Sequence, residues 1–116
     1  VKVQDLKVGQ NSANGLWHLD SSLNPIHEYE NFLFVSGVNT TEFVTTPLHI
    51  DHQISSKGFD TTVKSNLINT VNIPTNTVVK YNGENVHRGV DIHTDEVRLL
   101  LRLINTDQHL PSYKLK

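Results

Sequence analysis

The chain has 116 residues, enough for one domain (1–116) with a single core but short for an enzyme. Lys and Arg number 10 against 12 Asp and Glu, a net charge of -2, so no basic footprint points to nucleic acid, and no apolar run approaches the length of a membrane span. With no cysteine, disulfides and thiolate metal sites are excluded, and any metal must be held by histidine and carboxylate.

The 7 histidines are many for this length and hint at metal chemistry, against the plainer reading that several are surface polar residues. The composition reads as a soluble protein with the cytoplasm as default compartment. A first residue other than methionine reads as a processed product or a fragment.

Taken in order, Val1 to Val8 alternates through Val1, Val3, Leu6 and Val8 and predicts a first strand. Gly9 to Gly15 is turn material, and Asn14-Gly15 is its strongest signal. Leu16-Trp17-His18-Leu19-Asp20 predicts a short strand end before a loop from Ser21 to Pro25. Phe32 to Ser36 is an apolar run of the kind buried on both faces. After Asn39-Thr40-Thr41, a strand is expected over Glu42 to Thr46. Between Pro47 and Thr62 no pattern dominates, and Lys57-Gly58 reads as a turn. Val63 to Ile73, rich in β-branched residues, predicts a strand or half a hairpin. Thr77 to Tyr81 predicts another strand, closed by the Asn82-Gly83 turn. His87 follows, then a loop from Val90 to Glu96, a strand with two arginines, and a polar surface tail from Asn105 to Lys116. No convincing helical stripe appears. Strands broken at this spacing by Asn, Gly, Pro and Ser indicate an all-β sandwich or barrel.

Alternate residues of a strand share a face, so Arg98, Leu100 and Arg102 point one way and Leu99, Leu101 and Leu103 the other. Two guanidinium groups on a core-forming strand call for an anionic partner, since an unpaired buried charge is costly. Beside His87, that partner is expected to be a carboxylate cosubstrate at a metal. A facial site of two histidines and one carboxylate needs an HxD pair and a distant histidine. Three HxD pairs are present. His93-Thr94-Asp95 lies too close to His87 and reads as a solvated loop. His49-Ile50-Asp51 leaves little chain for the intervening strands. His18-Leu19-Asp20 follows an apolar segment, stands 69 residues before His87, and is preferred, with His49 and Asp51 as the alternative ligands.

Trp17-His18-Leu19-Asp20, Asn39-Thr40-Thr41-Glu42-Phe43, Asn85-Val86-His87-Arg88-Gly89 and Arg98-Leu99-Leu100-Leu101-Arg102, in that order, resemble the Fe(II)/2-oxoglutarate-dependent oxygenases, in particular the taurine dioxygenase-like and prolyl-hydroxylase-like branches. The resemblance covers about residues 16–104. It implies a double-stranded β-helix, or jelly roll, with Fe(II) bound by His18, Asp20 and His87. Arg98, 11 residues beyond His87, would pair with the distal carboxylate of 2-oxoglutarate, and Arg102, 15 beyond, with the carboxylate nearer the metal. Thr41 would donate a hydrogen bond to the cosubstrate. The implied reaction is hydroxylation of a small-molecule or side-chain substrate with decarboxylation of 2-oxoglutarate to succinate. Family members run well past this length, so the chain reads as a stripped-down core, a fragment, or a homo-oligomer or partner-completed protein.

Plainer roles stand beside these. His87 also fits a turn histidine bonded to backbone, and the two arginines fit an edge strand in water. Trp17 reads as a core anchor, Arg88 as a rim residue pointing away from His87, and Tyr81 as either pocket wall or packing. His27, His52 and His109 have no spacing that singles them out. Two other functions remain open: a cupin-like metal protein using His49 and His52, and a non-catalytic β-sandwich such as a viral or phage structural or binding module.

Overall fold

The structure is a computed structural model and describes residues 1–20, 30–48 and 55–105. Among these, the strands are β1 (Lys2–Leu6), β2 (Glu30–Val35), β3 (Glu42–Val44), β4 (Thr70–Asn72), β5 (Val78–Asn82), β6 (His87–Arg88) and β7 (Glu96–Asn105), with one helix, α1 (Ser56–Lys64). They form two antiparallel sheets, a four-stranded one ordered β1-β7-β2-β5 and a three-stranded one ordered β4-β3-β6. A single bridge between His18 and His87 extends the smaller sheet beyond β6. No described helix is long and apolar enough to cross a membrane.

Strand alternation builds the core. In β2, Asn31, Leu33 and Val35 are buried while Phe32 and Phe34 on the opposite face are half-buried, so the expected two-sided burial is complete on one face only. Leu33 and Val35 meet Tyr81 of β5, Phe43 of β3 and Ile73 beyond β4, which fills the space between the sheets. Val44, next to Phe43, points the other way. It joins Trp17 and Val86 beneath Phe59 and Val63 of α1, so the helix covers the outer face of the small sheet.

That helix departs from the expected Lys57-Gly58 turn and from a strand or hairpin half over Val63 to Ile73. Its apolar stripe amounts to Phe59 and Val63, four residues apart, set among β-branched residues and a glycine that disfavour helix. Tertiary contacts override the propensity. Ser55 caps the first turn by accepting the Gly58 N–H at 3.1 Å. The buried Asp60 carboxylate accepts the Trp17 N–H at 2.8 Å and pairs with Lys64 at 2.9 Å. Only Thr70–Asn72 of the expected stretch is strand. The first strand also differs in what it buries: Val3 is 74% exposed, and of the alternating apolar residues only Leu6 enters the core.

The arginine strand has the expected alternation but a different partner for Arg98. Arg98 is 1% exposed, and each of its guanidinium nitrogens donates to a neutral oxygen. Nε and Nη2 donate to Gln4 Oε1 at 3.0 and 2.7 Å, and Nη1 donates to the Asn39 carbonyl. Gln4 is the residue directly opposite on β1, so register alone supplies the acceptor. Burial lowers the Arg98 pKa, opposed by the Glu96 carboxylate. Glu96 in turn ties down the chain between the sheets. Its Oε2 accepts the Val38 N–H at 3.0 Å, and its Oε1 accepts the Asn39 N–H and side-chain amide at 3.0 and 2.8 Å. Burial would raise the Glu96 pKa, but these donors hold it below the ordinary value.

This turn depends on Gly37, which has a φ of +94° and a position where a Cβ would strike the Glu96 carboxylate. Gly9 has a similar φ of +91° but open space around it. Gly37→Ala is therefore expected to lower stability by about 1–3 kcal/mol, and Gly9→Ala by only about 1 kcal/mol. Urea unfolding of the two variants measures the difference; equal losses would show that the Glu96 contact contributes nothing.

Candidate metal centre

β6 places His87 on the inner face of the small sheet and Arg88 on the outer one, as alternation requires. Arg88 donates from Nε to Glu42 at 2.8 Å and lies 4.2 Å over the Trp17 ring, away from His87. His18 is bridged to His87 by reciprocal backbone hydrogen bonds of 2.9 and 3.0 Å, which brings the two rings to a centroid separation of 4.5 Å. Asp20, two residues on from His18, shares its side. One ligand atom from each of His18, Asp20 and His87 lies within 4.8 Å of the others.

The segment that carries His18 is clamped from both sides. Leu16 donates its N–H to Asn14 Oδ1 at 3.0 Å, and Trp17 is fixed by the Asp60 carboxylate. Burial would raise the Asp60 pKa, but the Lys64 and Trp17 hydrogen bonds hold it below its ordinary value.

Each histidine is oriented by its own chain. His18 Nδ1 lies 2.7 Å from the Leu16 carbonyl, and His87 Nδ1 lies 2.9 Å from the Asn85 carbonyl. A carbonyl only accepts, so both Nδ1 atoms carry the proton, and in a neutral ring Nε2 presents a lone pair. Those lone pairs face Asp20: its Oδ1 is 3.0 Å from His87 Nε2 and 3.8 Å from His18 Nε2. A lone pair cannot rest against a carboxylate oxygen unaided. It requires a cation between them, either a second proton on the ring or a metal ion. Two imidazoles, each with the far nitrogen bonded to a carbonyl, are oriented as metal-binding histidines are.

The second Asp20 oxygen accepts the Tyr81 hydroxyl and lies 3.4 Å from Arg102 Nη2. Burial would raise the Asp20 pKa, but His87, Tyr81 and Arg102 together hold it far below the usual carboxylate range. Burial pushes the His18 pKa down, with its bond to the Leu16 carbonyl opposing and the neighbouring His87 adding to the shift. Phe43 and Tyr81 pack on His87 at ring separations of 5.0 and 5.3 Å and shield its inner side.

The structure thus gathers His18, Asp20 and His87, with Arg102 beside them, while the Arg98 hydrogen bonds go to Gln4 and Asn39. Thr41 stands at the entry to β3, where its carbonyl accepts the Ile73 N–H at 3.0 Å. His93 is exposed, and Asp95 accepts the Val8 N–H at 2.7 Å. His27, His49, Asp51, His52 and His109, the Ser21 to Pro25 loop and the tail beyond Asn105 lie outside the described residues. Asn31 escaped the sequence reading. It is fully buried, its Oδ1 is 3.4 Å from Arg102 Nη2, and its Nδ2 is the buried side-chain donor left without a partner among the described residues. The available signal is parity: Asn31 shares the inward face of β2 with Leu33 and Val35.

The lowered pKa values of His18 and Asp20 set an expected pH profile. In the unfolded chain His18 takes up a proton near 6.5 and Asp20 near 3.8, before the folded protein does so. Wherever the unfolded state binds more protons, stability falls as pH falls. Urea midpoints are therefore expected to be level above about pH 7, to decline from about pH 6.5 and to drop again below about pH 4. His18→Gln should remove the first decline, and its persistence in that variant would contradict the assignment. Comparison with protein families, curated proteins and solved structures gives no match to this chain.

Proposed function

We propose that this chain is an Fe(II)- and 2-oxoglutarate-dependent dioxygenase, hydroxylating a substrate while 2-oxoglutarate is decarboxylated to succinate. The observation that carries the reading is the pair of histidines, each with Nδ1 on a carbonyl and Nε2 turned toward Asp20. Two imidazoles and one carboxylate on one side of a metal suit non-haem Fe(II) and leave positions open for a keto acid and dioxygen. Bound there, the iron would supply the oxidative chemistry; the chain holds, orients and shields.

Each neighbour then has a task. Tyr81 occupies the second Asp20 oxygen, which leaves Oδ1 to bind metal through one atom. Arg102 presents a partly exposed guanidinium beside the triad, and next to it lies Asn31, whose amide donor has no partner among the described residues. Together they suit the carboxylate of the keto acid nearer the metal. At Arg98, Gln4 Oε1 takes two N–H groups as one carboxylate oxygen would, so a distal carboxylate reaching Arg98 must displace Gln4.

The strand order supports a jelly roll. From β2 onward the chain passes back and forth between the sheets except at β3 and β4, which are neighbours in the small sheet, and the His18 bridge extends that sheet to a fourth position beside β6. Counting that bridge, the described strands reach the eight of a jelly roll.

The test is an anaerobic titration of the Fe(II)-loaded protein with 2-oxoglutarate, following the weak visible charge-transfer band of the chelate. The band is expected in the wild type and absent in His18→Ala and His87→Ala. Arg102→Ala should retain iron but bind the keto acid at least about tenfold more weakly. Gln4→Ala should bind it more tightly if Arg98 takes the distal carboxylate, and unchanged if it does not. A folded protein that retains no iron and gives no band would sink the enzyme and leave a structural β-sandwich.

A further inference from the structure

β7 faces the wrong way for a strand in an isolated domain. Its inward positions carry Arg98, Leu100 and Arg102, while Val97, Leu99 and Leu103 point outward, 70%, 38% and 58% exposed. Cross-strand register extends that apolar row in both directions. Val3 of β1, 74% exposed, lies opposite Leu99; Phe34 of β2 lies opposite Leu101, and Phe32 opposite Leu103. Val78 of β5, 64% exposed, lies opposite Phe34. The outer face of the four-stranded sheet is thus a continuous aliphatic and aromatic surface across all of its strands. The small sheet, by contrast, has its outer face covered by α1.

Such a surface is larger than the scattered apolar side chains of ordinary monomers and marks an interface. We infer that a second copy of this chain covers it, the two four-stranded sheets packing face to face about a two-fold axis. Two features favour a copy over an unrelated partner. First, Val3, Val78, Val97, Leu99 and Leu103 expose roughly 550 Å² between them, and the half-buried Phe32, Phe34 and Leu101 extend that area toward the roughly 800 Å² that each partner contributes to a stable interface. Second, the charges on this face are self-complementary. Asp5, opposite Val97, and Lys80, opposite Phe32 and so level with Leu103, mark diagonally opposed corners. A two-fold axis across that diagonal sets the Asp5 of each copy against the Lys80 of the other, as an isologous interface requires. Within one chain Asp5 pairs with Lys7 at 3.3 Å and Lys80 with Glu30 at 2.7 Å, but these side chains are 44–69% exposed, so exchanging them costs little.

This inference does not depend on the metal site, and its test needs no metal. Sedimentation equilibrium of the full chain at about 1–100 μM is expected to show a dimer. Val97→Asp and Leu103→Asp should each raise the dimer dissociation constant at least tenfold while circular dichroism stays unchanged, because both positions are exposed in the single chain. Should either fail to fold, Val3→Asp on the edge strand β1 makes the same test. Asp5→Lys should weaken the dimer, and Asp5→Lys combined with Lys80→Asp should restore it. A wild-type monomer at 100 μM, a dimer indifferent to these aspartates, or a charge swap that fails to restore association would each overturn the inference.

Discussion

Each site histidine gives its Nδ1 proton to the carbonyl two residues before it, and that short-range bond decides what the opposite nitrogen can do. For His18 the acceptor is Leu16; for His87 it is Asn85. Neither bond requires the rest of the fold, yet both turn Nε2 toward the same carboxylate, where it holds either a second ring proton or a metal ion. The cross-strand bridge between the two residues then fixes the rings against each other. With Asp20 held ionised by its neighbours, the fold gathers one carboxylate and two imidazoles within metal-binding distance of one another.

The remaining architecture can be understood as support for that arrangement. α1 packs behind Trp17 and presents Asp60 to its N–H, so the helix that covers the small sheet also steadies the residue before His18. β5 contributes Tyr81 to Asp20, and β2 and β7 contribute Asn31 and Arg102 to the same corner. Arg98 serves a different purpose two pleats away, on the same face. Bound to Gln4 and Asn39, it joins β1 to the segment that crosses from one sheet to the other, and Glu96 secures that crossing.

Local patterns made much of this visible in the sequence. The alternation of Arg98 to Leu103 gives the strand and its two faces, and His18-Leu19-Asp20 is contiguous, so its spacing needs no knowledge of the fold. What alternation cannot say is which face meets the core: Leu99, Leu101 and Leu103 turn outward and the arginines inward, where Gln4 and Asp20 pair with them. α1 was illegible for the opposite reason, since Phe59 and Val63 become a helical stripe only once Trp17 and Val44 are beneath them. Asn31 stands just before the apolar run, and its significance depends on Arg102, which is distant in sequence but near it across the sheet.

In the proposed metal site, His18 and His87 both bind one ion through Nε2. The most direct measurement is long-range ¹H–¹⁵N correlation of the imidazole rings in uniformly ¹⁵N-labelled protein as Zn(II) is added. The account predicts that both rings keep the Nδ1 proton and that both Nε2 resonances move to the metal-bound range at one equivalent. Unchanged His18 and His87 resonances, or a Zn(II) response confined to other histidines, would contradict it.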